Sequence, residues 1–227
     1  MSTDPAPFCV IPARAGSSRI PDKNLALVGG QTLLERAIHT GLAAFGTVFV
    51  STDDERYAAL ARAAGARVPA LRSRELATDD SPVELALQAA YSAWADPLTE
   101  VVVVLQATSP FTTTAECLAA VTALRAHPAA GCAATVVRAP PTSAFLLTSN
   151  PDGLATFLRP DYAARRSQDL PPAWLLTGGV FAIRPVDLLA GHPVAKEPIV
   201  PVEVPAERGV DIDGPDDLAR ARAWWSG

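Results

Sequence analysis

Short apolar segments alternate along the chain with longer segments whose apolar residues recur at helical spacing. The short segments, which we predict as strands, are residues 8–11, 47–50, 67–70, 101–105, 131–137, 177–183, 199–204 and 209–213. The longer segments, which we predict as helices, are residues 31–44, 54–64, 82–95 and 114–126, with a last helix from about residue 215. Strands that alternate with helices in this order predict an α/β fold with a mostly parallel sheet flanked by helices.

The alternation breaks between about residues 139 and 175. Paired prolines punctuate this stretch, and an Asn-Pro-Asp-Gly sequence at 150–153 separates two short apolar pieces, 144–148 and 154–158. Such a sequence between apolar runs is a strong turn signal. We therefore predict a single domain over residues 1–227 with a projecting hairpin arm at about 139–175, and we expect this arm to form the contact of a homodimer.

Composition narrows the class of protein. Of the 227 residues, 49% are hydrophobic and 19% are charged, as is usual for a globular protein. The longest aliphatic run, 101–105, is far shorter than the roughly 20 residues that cross a bilayer, and the N-terminus lacks the basic stretch of a signal peptide. The net charge of −5 argues against a surface for nucleic acid, and three isolated cysteines form no zinc motif. We expect a reduced, cytoplasmic protein that binds neither nucleic acid nor membrane.

The loop after the first predicted strand, residues 12–24, combines small residues with three cations. Arg14, Arg19 and Lys23 lie within ten residues of one another, and Lys23 is one of two lysines among 19 basic residues. The loop matches neither the Walker motif nor the dinucleotide fingerprint. Its cations can neutralise a polyphosphate while backbone N–H groups bind the phosphate oxygens. From composition alone, a solvated basic loop is the alternative.

Asp211 and Asp213 form the second candidate group. If residues 209–213 are a strand, both carboxylates project from one face while Ile212 enters the core. Two adjacent carboxylates repel each other unless a cation or proton lies between them, and magnesium in nucleotide chemistry is held by carboxylates and phosphates. A turn followed by a helix cap is the alternative, since Gly214 and Pro215 come next.

Three further positions carry polar side chains whose roles stay open. Residues 51–54 follow a predicted strand and favour the N-cap of the next helix. Gln106 follows the central strand, where its amide can bind a base or a ribose or simply cap the loop. Arg165 and Arg166 suit a carboxylate or phosphate, although they can equally form part of the surface.

Six short motifs occur in a fixed order between about residues 10 and 220. They are Ile11-Pro12-Ala13-Arg14 with 17–24; Val50-Ser51-Thr52-Asp53; Arg72 with Glu75-Leu76-Ala77; Leu105-Gln106 with Thr108-Ser109-Pro110; Arg166 with Gln168-Asp169-Leu170-Pro171; and Val210-Asp211-Ile212-Asp213. Together they resemble the CMP-sugar-acid synthetases, the cytidylyltransferases that activate sialic acid, pseudaminic acid and related 2-keto sugar acids. The resemblance implies dimers of Rossmann-like α/β subunits of the nucleotide-diphospho-sugar transferase type, a hairpin arm exchanged across the interface, CTP and Mg²⁺.

The resemblance also assigns roles by position. The residues implied in nucleotide binding are Ala13, Arg14, Gly16, Ser17, Arg19, Lys23, Asn24, Arg72 and Ser81. Those implied in acceptor binding are Gln106, Arg165, Arg166, Gln168 and Thr177. Asp211 and Asp213 would hold Mg²⁺, and the implied catalytic residues are Arg14, Lys23 and Asp211. An acceptor oxygen would attack the α-phosphorus of CTP in line, and pyrophosphate would leave.

This chain departs from the sialic-acid enzymes mainly on the acceptor side. It has Thr112 after Ser-Pro-Phe, Ser167 between Arg166 and Gln168, and Thr177-Gly178-Gly179 in place of Asn-Gly-Ala. A nonulosonic acid is the first expectation for the acceptor, Kdo or another 2-keto acid the second, and a small phosphonate the third. A non-catalytic nucleotide-binding protein on the same fold is the alternative from another class.

Overall fold

The computed structural model describes residues 6–17, 19–78, 80–163 and 165–225. Its strands are β1 (Phe8–Pro12), β2 (Leu27–Val28), β3 (Gln31–Thr32), β4 (Phe49–Ser51), β5 (Val102–Leu105), β6 (Cys132–Arg138), β7 (Leu147–Ser149), β8 (Ala155–Phe157), β9 (Trp174–Ile183) and β10 (Ile199–Glu203). Its α-helices are α1 (Leu33–Phe45), α2 (Glu55–Ala63), α3 (Val83–Trp94), α4 (Thr114–Ala126), α5 (Pro160–Ala163), α6 (Pro185–Leu189) and α7 (Pro215–Trp225). No helix in these ranges is long and apolar enough to cross a membrane.

Six strands form the central sheet in the order β10-β6-β9-β5-β1-β4. Five of them run parallel, and β9 runs antiparallel to both of its neighbours, β5 and β6. The direction of β9 follows from the arm, because the chain leaves the sheet along β6 and returns beside it along β9. The predicted α/β fold with a mostly parallel sheet is therefore confirmed.

Alternate residues of the central strands face two apolar layers. Val103 and Leu105 of β5 pack into one layer, and Val102 and Val104 pack into the other. Helices α1, α2, α4 and α7 supply buried residues to the first layer, while α3 and α6 supply the second. This arrangement explains why 101–105 is apolar throughout, since a strand covered on both faces has no polar side. At the end of α7, Trp225 is stacked on Phe111 with ring centroids 6.2 Å apart.

Two predicted strands are wrong. Residues 67–70 contribute only a single bridge, between Arg67 and Phe49, and the proline at position 69 has no N–H to continue a ladder. Residues 209–213 form no strand either. Ile212 is fully buried as expected, but its N–H donates to the carbonyl oxygen of Thr108 in the loop after β5.

The segment that interrupts the alternation contains the predicted hairpin. Strands β7 and β8 pair antiparallel, and the Asn150 side chain closes the turn by accepting a hydrogen bond of 2.9 Å from the N–H of Leu154. Gly153 has a φ of 79°, a conformation that glycine adopts without strain. The arm is thus a local structure that its turn residues specify.

Candidate active site

The loops after β1, β4 and β5 meet at one edge of the sheet, because parallel strands bring their carboxyl ends together. Two hydrogen bonds join the first two loops. The N–H of Ala13 donates to the carbonyl oxygen of Ser51 at 2.9 Å, and the N–H of Ala15 donates to Asp53 Oδ1 at 3.0 Å. The next residue, Asp54, caps α2 by accepting from the N–H of Arg56, as the sequence predicts. The loop after β1, which carries Arg14, is therefore held in place by hydrogen bonds to Ser51 and Asp53.

Cations of the β1 loop surround a cavity of about 210 Å³. The residues that line it are Arg14, Ser17, Arg19, Lys23 and Asp213. Lys23 Nζ donates to the carbonyl oxygen of Ile212 at 2.9 Å and lies 3.4 Å from Asp213 Oδ1. Arg19 lies 3.5 Å from the other oxygen of Asp213, but its side chain is 67% exposed against 16% for Lys23. The structure thus holds Lys23 firmly and leaves Arg19 at the mouth.

The remaining nucleotide-binding candidates of this loop differ in how far they are buried. Asn24 is buried, and its side-chain amide donates to the carbonyl oxygen of Arg14 at 3.2 Å. Ala13 is fully buried, whereas Gly16 is exposed, with open space where a Cβ would lie. Asn24 therefore fixes the path of the backbone that carries Arg14.

Arg72 joins the same cluster from the segment after α2. Its guanidinium donates to the carbonyl oxygen of Ser51 at 2.5 Å and to Ser51 Oγ at 3.2 Å. Burial lowers the pKa of Arg72, with nearby Arg14 acting in the same direction and Asp53 opposing it. Arg72 thus extends the polar edge beyond the β1 loop. Ser81, which precedes α3, has a buried hydroxyl with no hydrogen-bond partner among the described residues.

Asp211 and Gln106 both lie close to Gly178 of β9. Gly178 has a φ of 73°, and a Cβ there would lie 3.3 Å from Asp211 Oδ2 and 3.8 Å from Gln106 Oε1. The glycine therefore leaves room for both side chains. The motifs of the sequence did not indicate this role, although two successive glycines inside a strand favour a bulge or a close approach.

Burial raises the pKa of the Asp211 carboxyl group above its usual value. A hydrogen bond from the Thr108 side chain opposes this effect, repulsion by Asp213 adds to it, and attraction by Lys23 lowers the pKa. Asp211 Oδ1 is buried and has no hydrogen-bond partner among the described residues. A carboxylate with a raised pKa and an unused oxygen is a suitable proton acceptor.

The two acidic residues do not share a strand face. A turn replaces the predicted strand, and Asp217 of α7 closes it by accepting from the N–H groups of Asp213 and Gly214 at 3.0 and 2.8 Å. The alternative of a turn before a helix is therefore confirmed. Asp213 is consequently exposed beside the cation-lined cavity, whereas Asp211 is partly buried and lines a separate cavity with Val210 and Trp224.

Asp211 and Asp213 supply too few ligands for a metal site made of protein side chains alone. Within the described ranges, no group of three or more His, Cys, Asp and Glu side chains could hold a metal. Mg²⁺ in nucleotide sites is commonly bound by one or two carboxylates together with substrate phosphates, so a complete protein cage is not required. The unpartnered oxygen of Asp211 and the exposed carboxylate of Asp213 fit such a partial site.

The other acceptor-binding candidates lie elsewhere. Thr177 is buried in the sheet, where its hydroxyl is 2.7 Å from Thr135 Oγ1 and donates to the Thr135 carbonyl oxygen. Arg165, Arg166 and Gln168 are exposed in the arm. Arg166 pairs with Asp169 at 3.6 Å, and Arg165 lies 5.6 Å from the centroid of the Tyr162 ring. Of the five candidates, Gln106 shares with Asp211 a close approach to Gly178.

Known proteins resemble this chain at the level of sequence. A family profile described as "Cytidylyltransferase" matches residues 8–173. Over 78 residues the chain is 46% identical to CMP-N,N'-diacetyllegionaminic acid synthase of Legionella pneumophila, and the aligned stretch covers 34% of each protein. Over 216 residues it is 27% identical to N-acylneuraminate cytidylyltransferase of Streptococcus agalactiae, which covers 93% of this chain and 51% of the relative. The matched stretches thus span about a third and about half of the relatives' own length.

The fold also has a counterpart among solved structures. A structure of CMP:2-keto-3-deoxy-manno-octonic acid synthetase complexed with CTP superimposes with a TM-score of 0.73, and the match covers 98% of this chain and 99% of the other. The two sequences are 21% identical, so this likeness concerns the fold alone.

Proposed function

Because the chain belongs to the cytidylyltransferase family, we propose that it transfers CMP from CTP to an acidic acceptor and releases pyrophosphate. The acceptor class is a nonulosonic or other 2-keto sugar acid. The observation that carries this proposal is the cavity where Arg14, Arg19 and Lys23 converge beside Asp213. Three cations around one small polar cavity suit a triphosphate better than they suit an uncharged ligand.

In this proposal Arg14, Arg19 and Lys23 bind the triphosphate, Asn24 lies beside the ribose and Arg72 beside the cytosine. The acceptor oxygen attacks the α-phosphorus, and the bond between that phosphorus and the bridging oxygen of pyrophosphate breaks. Negative charge grows on the phosphoryl oxygens and the leaving group, and fixed cations stabilise it without reorganising. The hydrogen bond from Lys23 to the Ile212 carbonyl oxygen supports this role, because it fixes the ammonium group in place.

Asp211 is the proposed proton acceptor for the attacking oxygen. Its raised pKa makes it a stronger base than an exposed aspartate, and Gln106 lies beside it to hold the acceptor. Asp211 and Asp213 would also hold Mg²⁺. When bound, that ion supplies positive charge to the phosphate oxygens.

The first experiment is Mg²⁺-dependent pyrophosphate release from CTP, measured with sialic acid, pseudaminic acid, Kdo and small phosphonates as acceptors. We expect release with one of the three sugar acids and little or none with UTP, ATP or GTP. Release with a phosphonate alone would overturn the acceptor class. CTP binding without release from any acceptor would favour the non-catalytic alternative, and absence of CTP binding would overturn the whole proposal. The cytoplasmic location of the protein remains a prediction.

The arm supports the further proposal of a homodimer. Large apolar side chains are exposed along it, namely Leu146, Leu147, Leu154, Phe157, Leu158, Trp174, Leu175 and Leu176. Clustered exposed apolar residues are typical of a protein interface. In the proposed dimer, Arg165, Arg166 and Gln168 of the arm reach the site of the second copy, where they bind the acceptor carboxylate.

The two faces of the hairpin provide a matched test of this dimer. Leu147 lies opposite Phe157, and the next pair, Thr148 and Thr156, points to the other face. We expect the double variant Leu147→Asp/Phe157→Asp to elute as a monomer in size-exclusion chromatography with light scattering. The control Thr148→Asp/Thr156→Asp is expected to remain a dimer. A monomeric wild type, or a dimer that survives the first double variant, would contradict the proposal.

A further inference from the structure

Within the described part of the chain, Asp22 is the only residue other than glycine with a positive φ. Its φ of 49° and ψ of 40° place it in the left-handed region, immediately before Lys23. Side chains with a Cβ are disfavoured there, and the conformation persists where the surroundings enforce it. Asp22 precedes a short 3-10 turn, Lys23–Leu25, yet its side chain makes no capping hydrogen bond to that turn. The carboxylate therefore has another partner.

That partner is the first turn of α2. Asp22 Oδ1 accepts from Arg56 Nη2 at 3.0 Å and from the Tyr57 hydroxyl at 3.3 Å, and Oδ2 accepts from Arg56 Nη1 at 3.2 Å. Arg56 is itself held by Asp54, the N-cap of α2, with 2.9 Å between Nη2 and Oδ2. Tyr57 is fully buried, and burial raises the pKa of its hydroxyl, which therefore stays protonated and able to donate. Two donors from one helix turn thus hold one carboxylate.

The anchored residue begins the turn that carries the phosphate-binding candidates. The Asp22 carbonyl oxygen accepts from the N–H of Leu25 at 2.8 Å, so its position sets the turn that follows. This turn directs Lys23 to the Ile212 carbonyl oxygen and Asn24 to the carbonyl oxygen of Arg14. Neither Arg56 nor Tyr57 lines the cavity beside Lys23. They contact Asp22 without lining the cavity themselves.

We infer that Arg56 and Tyr57 are positioning residues that act through Asp22 to hold Lys23 at the phosphate-binding cavity. The inference rests on the proposed function for what Lys23 binds, but the restraint on Lys23 can be measured without any substrate. A purely local role, in which Asp22 only completes a turn, predicts that glycine can replace it, because glycine adopts this conformation freely. The two readings therefore differ for a single substitution.

The test uses three variants. It is simple to read because the chain has only two lysines, Lys23 and Lys196. Asp22→Gly keeps the turn accessible and removes the carboxylate, and Tyr57→Phe removes only the hydroxyl. Glu55→Gln is the control, because Glu55 lies on the same helix turn but pairs with Arg62 at 2.7 Å. Each purified protein is treated with a limiting amine-acylating reagent, and mass spectrometry gives the labelling of Lys23 relative to Lys196, the other lysine.

We expect the labelling ratio of Lys23 to Lys196 to rise about fivefold in Asp22→Gly and about threefold in Tyr57→Phe, because the pair of Asp22 and Arg56 is partly exposed to solvent and contributes less than a buried pair would. Glu55→Gln is expected to match the wild type. A wild-type ratio in Asp22→Gly would overturn the inference, as would an equal rise in the control. Tyr57→Phe keeps the buried ring, so a melting temperature close to wild type separates a released lysine from a damaged fold.

A second readout separates this inference from the proposed function. If wild type releases pyrophosphate, the variants are expected to lower kcat/KM for CTP in the same order as the labelling ratio, mainly through kcat. If wild type releases none, the proposed function fails while the labelling result still decides whether α2 restrains Lys23. Increased labelling with an unchanged kcat/KM for CTP would overturn the link to the phosphate-binding cavity.

Discussion

Replacing Lys23 with alanine is expected to lower kcat/KM for CTP by roughly 100- to 1,000-fold, the usual cost of removing one fixed donor from a developing oxyanion. Lys23 is largely buried, and it is held by the carbonyl oxygen of Ile212 beside Asp213. An ammonium group held in this way needs little reorganisation to bind a phosphate. Steady-state pyrophosphate release, with the acceptor identified by the first experiment, measures the effect.

The other lysine provides the control. Lys196 forms an ion pair with Asp187 of α6. Lys196→Ala removes the same number of atoms and the same charge, and its kcat/KM is expected to stay within about twofold of wild type, as for a group outside the reaction. A Lys23→Ala variant that is folded and within threefold of wild type would remove Lys23 from the catalytic residues.

Replacing Asp211 with asparagine is expected to lower kcat by roughly 100- to 10,000-fold, as for loss of a general base. The substitution keeps the shape of the side chain beside Gly178 and Gln106 but removes the negative charge. It therefore separates the charge of Asp211 from its packing. Asp216→Asn is the control, because Asp216 is exposed in the first turn of α7. Equal turnover in the two variants would exclude Asp211 as the base.

The same substitution is expected to stabilise the fold at neutral pH. A carboxyl group whose pKa is raised in the folded state contributes stability below its unfolded pKa, about 3.9, and loses it as the pH rises through the folded pKa. Asparagine does not ionise, so the Asp211→Asn variant should melt higher than wild type at pH 7 and near wild type at pH 3. Thermal melts in EDTA measure this difference without a bound cation. A lower melting temperature at pH 7 would contradict the pKa shift.

The elements that the sequence predicted well are those whose pattern is local. Helix α4 has the predicted bounds, and its capping box joins Thr113 to Glu116 through contacts three residues apart. The apolar run at 101–105 became the buried central strand because its residues satisfy both faces of a sheet at once. The hairpin of the arm followed from its turn residues, since Asn150 and Gly153 determine the chain reversal by themselves.

The errors lie where pairing between distant segments decides the structure. Residues 67–70 look like a strand, but only Arg67 finds a partner on β4. Residues 209–213 look like a strand too, yet Ile212 bonds to Thr108 and Asp217 takes the neighbouring N–H groups. The direction of β9 likewise depended on the arm returning beside β6. Propensity cannot reveal such competition for hydrogen-bond partners.

The sequence by itself determined the alternation of strands and helices, the two apolar layers and the loops that hold the charged residues. It did so because burial imposes a period on each segment, and because loops that follow parallel strands reach the same edge of the sheet. Tertiary structure alone decided which polar groups meet there. Lys23 donates to the carbonyl oxygen of a residue 189 positions away. The pKa of Asp211 is raised because the fold buries this side chain, close to Gly178. Such contacts depend on distance and solvent exclusion in three dimensions, which no period along the chain encodes.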